Sequence, residues 1–264
     1  MAEAPTDDDD RPSLLFLLVD ALAFLVRRRG LFLVIVLPIA GLAAAIAWLL
    51  ATQRPFEAWR GHWGWDFLFV LVYAMFLDRW IKETLLDGAT DCEEVDNLRR
   101  SIVSPGVLAL AAGLFAITIG LSVLPWPGSS LVPLVLCVAI AALLALWPPA
   151  LSAAEPLGLV DALRLGRPVR SLLIMLVLGA VLLALGAAAA VPWALVHLPP
   201  HLQAQPWVEP ALAAAHRLVD CAVLALLAHV VATLFRRLAD WRAPEPDDHP
   251  YRDLGRPRRR FRAN

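Results

Sequence analysis

The feature that most restricts this chain is a set of apolar segments too long for a soluble core. A helix rises about 1.5 Å per residue, so crossing a hydrocarbon layer about 30 Å thick takes about 20 mostly apolar residues. Four segments meet that requirement: Leu31 to Ala51, Pro105 to Leu124, Leu131 to Trp147 and Ser171 to Leu198. Composition agrees, since 59% of the 264 residues are hydrophobic and only 18% charged, against about a half and about a quarter in soluble domains. The 23 basic and 24 acidic residues leave a net charge of −1, which gives no basis for expecting nucleic acid as a partner. Cys92, Cys137 and Cys221 are scattered, with neither the number of a disulfide scaffold nor the spacing of a zinc or redox motif.

Two weaker segments bring the expected spans to six. Trp63 to Ile81 has Asp66 near one end and Asp78 with Arg79 near the other, leaving 11 uncharged residues between the acids. Charges near span ends can reach the headgroups, so the segment is retained. Ala211 to Phe235 carries His216, Arg217 and Asp220 in its first half. With the N-terminus cytoplasmic and six crossings, all of the 23 Lys and Arg lie inside except Arg54, Arg60 and Arg217. Removing any one span places a basic cluster on the wrong side, so the positive-inside rule supports the full count. Trp48, Trp59, Trp63, Trp65, Trp126, Trp193 and Trp207 then map to outer ends or loops, and Trp80, Trp147 and Trp241 to inner ones. That is the headgroup zone an amphipathic ring prefers.

The expected fold class is thus all-α: a polytopic integral membrane protein with six transmembrane helices and both termini cytoplasmic. Residues 1–12 read as an acidic disordered N-terminus, with Glu3 and the run Asp7 to Asp10 where a secretory leader would carry positive charge. Residues 13–242 form the membrane domain, and 243–264 an Arg-rich disordered tail. Leu14 to Val26 is 13 residues with Asp20 as its only charge, too short to span, and reads as an interfacial or half-buried helix. The pentapeptide LVDAL at Leu18 to Leu22 recurs at Leu159 to Leu163, 141 residues later, and at the same offset Arg29 matches Arg170 and Val36 matches Val177. Each copy has a short helix with one Asp, then a basic cluster, then a long span, so a second interfacial helix is expected before span five. Four spans lie between the copies, which gives them the same orientation; duplication and coincidence both remain open. Lys82 is the only lysine among the basic residues, and the Ala and Leu richness fits a GC-rich bacterial source and an inner-membrane location.

Pro148 to Leu176 (PPALSAAEPLGLVDALRLGRPVRSLLIML) has a Pro after a span, a short helix with an Ala-Leu step, a basic turn and a Leu-rich span. This segment resembles the cytoplasmic connector of multi-span bacterial membrane proteins related to the membrane domain of some glycerophosphodiester phosphodiesterases. Asp78-Arg79-Trp80 through Leu85-Leu86 resembles the end of an early span in that group, with Asp78 where a His is frequent. The resemblance implies a membrane fold and no chemistry, because the phosphodiesterase catalytic domain has no counterpart in these residues.

Ionisable side chains within spans are costly and are the first candidates for a site. On the last span, His216 and Arg217 precede Asp220 by four and three residues, so both cations can flank one carboxylate. They form either a polar patch facing a cavity, binding an anion or relaying protons, or a self-neutralised cluster that holds the helix in the bundle. His229 lies almost on the opposite side and is expected to bond a carbonyl. His197 and His201 have a metal-binding spacing, but Pro199 and Pro200 between them break any helix, and no metal or other cofactor is expected. The acidic run Asp87 to Asp96 reads as a solvated helix or loop without the calcium-loop glycine. Asp78 with Lys82 and Arg79 with Glu83 read as surface pairs contributing about 0.3–0.5 kcal/mol each. In the tail, Arg256, Arg258, Arg259, Arg260 and Arg262 suit anionic lipid at the cytoplasmic face, at about 1 kcal/mol each, with partner docking or orientation as alternatives.

No phosphate loop, nucleophile elbow, HExxH or dinucleotide fingerprint occurs. The expected function is therefore non-enzymatic: binding or organising protein partners or lipid in the inner membrane, with a membrane-protein partner or a second copy of the chain possible. The alternative is a small-solute or lipid transporter that uses the polar cluster of the last span.

Overall fold

The computed structural model describes residues 13–52, 63–90, 92–101, 103–123, 131–153, 157–203 and 205–243. These residues are helical, with no strand among them. In chain order the helices are α1 (Leu14–Arg27), α2 (Arg29–Thr52), α3 (Trp63–Leu85), α4 (Glu93–Arg100), α5 (Pro105–Val123), α6 (Leu131–Leu144), α7 (Trp147–Ser152), α8 (Leu159–Leu165), α9 (Arg170–His197), α10 (Pro200–Gln203) and α11 (Val208–Leu238). Four helical stretches are long and apolar enough to cross a membrane: Arg29–Thr52, Val95–Ile117, Arg167–His197 and Val208–Leu238.

Solvent for these helices can be read from what they expose. Only 22% of the apolar window in α2 and 17% of that in the α9 stretch is buried within the protein. Leu182, Leu183, Trp193 and Val196 on α9 and Val34 and Leu37 on α2 are all exposed. A surface of that composition and size is far beyond what a water-soluble monomer carries, and hydrocarbon is the medium that suits it. The α11 window is 50% buried, the highest share of the four. It is the central helix, with α1, α2, α3 and α9 all packed on it.

Side-chain contacts fix the direction of each long helix. Tyr73 of α3 bonds Asp220 of α11, and farther along both helices Thr84 meets His229, so α3 and α11 run parallel. Phe32 packs on Trp80, whereas Ile46 and Leu50 lie with Trp65 and His216, so α2 runs opposite to both. Phe115 meets Phe67 near the start of α3, while Gly106 abuts Leu151 of α7, whose Ser152 bonds Asp78 farther along α3; α5 is therefore antiparallel to α3. Leu146, just after α6, touches Gly166 beside Leu173, and Val181 shares a small apolar pocket with Cys137 and Val138, which makes α6 and α9 antiparallel. The helices α2, α3, α5, α6, α9 and α11 thus alternate in direction along the chain.

Helix ends follow local chemistry. Ser13 accepts from Phe16 N–H at 3.2 Å and caps α1. Gly88, at φ +80°, provides the left-handed residue that ends the turn after α3. At the end of α11, Asp240 takes φ +46° and Trp241 N–H reaches back to the Arg236 carbonyl, the hydrogen-bond pattern of a Schellman stop. The expected span Leu131 to Trp147 is shorter than predicted. Its helix ends at Leu144 and the chain turns before α7, because Pro148 and Pro149 lack the N–H groups that would continue the ladder.

The sequence echo corresponds to repeated structure: in each copy a short helix (α1, α8), a break at basic residues and a long helix (α2, α9) follow in order. Ala21 and Ala162 are both buried, as are Val36 and Val177. The two Asp residues diverge, since Asp161 is exposed and Asp20 bonds His229. α1 buries Leu17, Ala21 and Phe24 while exposing Leu15, Phe16, Val19 and Leu22. Both of its faces are apolar, one for the bundle and one for lipid.

The core contradicts the reading of Trp80 as a headgroup-level ring. It is fully buried, stacked on Phe76 and edge-on to Phe24 and Phe32 at 5.6–5.8 Å between ring centroids. Trp48, Trp193 and Trp207 are exposed, as tryptophans at an interface are. Trp80→Ala is expected to lower stability by about 3 kcal/mol, and Trp193→Ala by less than about 0.5 kcal/mol. Reversible unfolding in mixed detergent–SDS micelles measures both.

Candidate functional site

Two groups of polar side chains cross-link the bundle, one near each end. The first forms where α11 passes the first half of α3. Arg217 Nη1 donates to Asp220 Oδ2 at 3.1 Å and to Tyr73 Oη at 3.0 Å, and Tyr73 donates to the same carboxylate oxygen at 2.8 Å. His216 Nε2 lies 3.5 Å from Asp220 Oδ1, and the guanidinium carbon of Arg217 stacks 4.1 Å from the Phe69 ring centroid. Asp220 is therefore surrounded by donors from two helices, and the two cations flank it as their spacing predicts.

This group borders a cleft of about 220 Å³ between α2, α3 and α11. Its α2 wall is apolar, with Ile46 and Leu50, and its polar lining is Asp66, His216 and Arg217 with Trp65 alongside. Asp66 stands in the first turn of α3, where exposed backbone N–H groups favour a carboxylate.

The second group lies where α1, α3, α7 and α11 meet, and there the structure overturns several expectations. Asp78 and Lys82 are not a surface pair: Lys82 Nζ lies 2.8 Å from Asp78 Oδ2, with both side chains only 2–3% exposed. Ser152 of α7 donates to Asp78 Oδ1 at 2.7 Å, and Lys82 also donates to Ser101 at 2.9 Å. Glu83 is equally enclosed, pairs with Arg79 at 2.9 Å and lies 3.7 Å from Arg99, while Arg79 also donates to the Arg99 carbonyl. The packing of α7 and α4 over α3 buries these charges, and spacing along one helix carries no information about that cover.

His229 is another correction. Its partner is not a carbonyl: Nε2 lies 3.1 Å from Asp20 Oδ2 and Nδ1 lies 3.3 Å from Thr84 Oγ1, with Phe24 tilted over the ring at 4.5 Å. The imidazole links α1, α3 and α11 at one point. A single Asp in an otherwise apolar 13-residue segment was the available signal that Asp20 needs a partner. Asp87 also leaves the solvated acidic run, because it pairs with Arg28 at 3.3 Å and Arg27 at 3.5 Å where α1 turns into α2.

His216, Arg217 and Asp220 are brought together, and His229 belongs to the separate second group. His197 ends α9, stacked on Trp193 and bonded to its carbonyl at 2.8 Å, whereas His201 lies on α10. Among the described residues no group of three or more His, Cys, Asp or Glu is placed to hold a metal. Arg256, Arg258, Arg259, Arg260 and Arg262 lie outside the described residues. Comparison with protein-family models, with characterised proteins and with solved structures returned no match.

Breaking a buried charge pair from one side leaves the other charge uncompensated, a loss of about 3–5 kcal/mol. Lys82→Met is expected to destabilise by that amount, and the double variant Asp78→Leu with Lys82→Met to recover more than half of it. The same mixed-micelle unfolding assay reads both; equal stability of the single variant and the wild type would contradict the buried geometry.

Proposed function

We propose that this chain is a six-span integral protein of a bacterial inner membrane, with both termini cytoplasmic, that binds or organises protein partners or lipid without catalysing a reaction. The observation that carries this reading is how its polar side chains are used. Arg217, Tyr73 and Asp220, then Asp78, Lys82 and Ser152, then Asp20, His229 and Thr84, are bonded across helices. Lipid tails are as apolar as Leu, so helices in hydrocarbon gain little from hydrophobicity and are joined by packing and by such bonds. Chemistry-bearing groups are thereby spent on holding the bundle, and what remains outward is a large apolar surface.

Six crossings are supported by the alternating direction of the six long helices. With the four apolar stretches, the two further crossings are α3, whose charges lie in its first turn and its last turns, and α6 with its flanking residues. In this layout α1 and α8 lie at the cytoplasmic interface and the arginines of the tail contact anionic lipid there. The likeness to phosphodiesterase-linked membrane domains belongs to the same proposal and concerns fold alone.

A transport reading is favoured by one observation, the cleft beside Arg217. If solute passes there, Asp220→Asn and Arg217→Ala abolish flux or the associated growth phenotype at normal expression; unchanged phenotypes exclude it. For the leading reading, purification in mild detergent is expected to retain a specific lipid or a membrane protein, identified by mass spectrometry. A reporter fused after Asn264 is expected to be active only in the cytoplasm, and periplasmic activity would overturn the topology.

A further inference from the structure

The cleft between α2, α3 and α11 is lined by charges of both signs, Asp66 and an Arg217 that is paired with Asp220 through one nitrogen. Asp66 and Arg217 both line it, yet Asp66 has no bonded partner among the described residues, and Arg217 uses only Nη1 toward Asp220 and Tyr73. The remaining guanidinium nitrogens of Arg217 and the exposed carboxylate of Asp66 are therefore both available to a ligand.

Charge complementarity narrows the ligand. A simple anion would meet Arg217 but face the carboxylates of Asp66 and Asp220. A simple cation would meet Asp66 but face the guanidinium. A ligand that joins an anionic and a cationic group satisfies both. Spacing agrees, because Arg217 stacks on Phe69 and Asp66 lies three residues earlier on α3, about one helical turn away. A volume of about 220 Å³ is below the usual range of about 300–1,000 Å³ for small-molecule pockets, so it suits a headgroup and not a whole lipid. Its position fits too. Leu50 is near the end of α2, Asp66 is in the first turn of α3, and the adjoining wall from Ile46 is apolar, so polar floor and apolar flank meet at a helix-end level.

We infer that this cleft binds the headgroup of a zwitterionic aminophospholipid, its phosphate held by the guanidinium nitrogens of Arg217 that face neither Asp220 nor Tyr73, its ammonium by Asp66, and its acyl chains lying outside along α2. The inference rests on the lipid-binding form of the function proposed above and names the class of lipid. Arginine is suited to phosphate through its planar fork of donors, and a primary ammonium can donate directly to a carboxylate where a quaternary one cannot.

The test uses the full chain in mild detergent, titrated with short-chain phosphatidylethanolamine, phosphatidylcholine, phosphatidylglycerol and soluble phosphoethanolamine, with bound species counted by native mass spectrometry. Phosphatidylethanolamine is expected to bind about tenfold tighter than the other two lipids, the equivalent of one charge-assisted hydrogen bond. Asp66→Asn removes that preference while leaving phosphatidylglycerol binding equal or stronger. Asp66 is exposed and holds no helix in place, and an unchanged unfolding profile confirms that its variant is folded. Equal binding of the three lipids by the wild type, a preference that survives Asp66→Asn, or soluble phosphoethanolamine binding as tightly as the lipid each overturns the assignment. Should the wild type show no headgroup preference yet still copurify with a membrane partner, the cleft assignment falls and the organising role stands.

Discussion

In hydrocarbon a charged or hydrogen-bonding side chain must find its partner inside the protein, and α11 carries many of the groups under that requirement. Near its start Arg217 and Asp220 are satisfied by Tyr73; farther along His229 is satisfied by Asp20 and Thr84. Both sets reach α3, so the two parallel helices are fastened at two levels. The remaining long helices pack around this pair mainly through apolar contacts. Such contacts alone discriminate weakly between one helix register and another, because neighbouring Leu and Ala positions are nearly interchangeable in lipid. The bonded groups accordingly set the register of the bundle.

How much was legible in the sequence depends on whether a property is carried along one segment or made between segments. Helix positions follow from hydropathy, and the observed α2, α5 and α9 begin and end within a few residues of the predicted segments. The grouping of His216, Arg217 and Asp220 follows from helical spacing. Tyr73 as their common partner does not, since nothing in either segment records the alignment of α3 with α11. The same reason explains the mistaken reading of Asp78 and Lys82. Their four-residue spacing is equally good on a wet surface and under a cover, and the cover is supplied by α7 and α4, about 70 and 20 residues away in the chain. Trp80 was misplaced because end-of-span position describes depth in the membrane and not which way the ring faces.

The two polar groups differ in a way that bears on function. In the second group the buried carboxylates Asp78 and Glu83 meet cations, and His229 has a partner on each ring nitrogen, so that region reads as framework. In the first group only the Asp220 side is closed. Arg217 has guanidinium nitrogens to spare, and beside it the exposed Asp66 lines the same cleft. The incomplete side is where an external molecule has something to bond.

The bend at Arg28 has a consequence for how this protein can be handled. Everything before it contributes Asp20, Phe24 and Arg27 to contacts with α11 and the turn after α3. A shortened version beginning at Gly30 would retain all six long helices, yet it would strip the imidazole of its carboxylate and ring cover and leave Asp87 without its cations. The leading apolar segment is thus a structural keystone of the domain, and useful truncations begin upstream of Ser13.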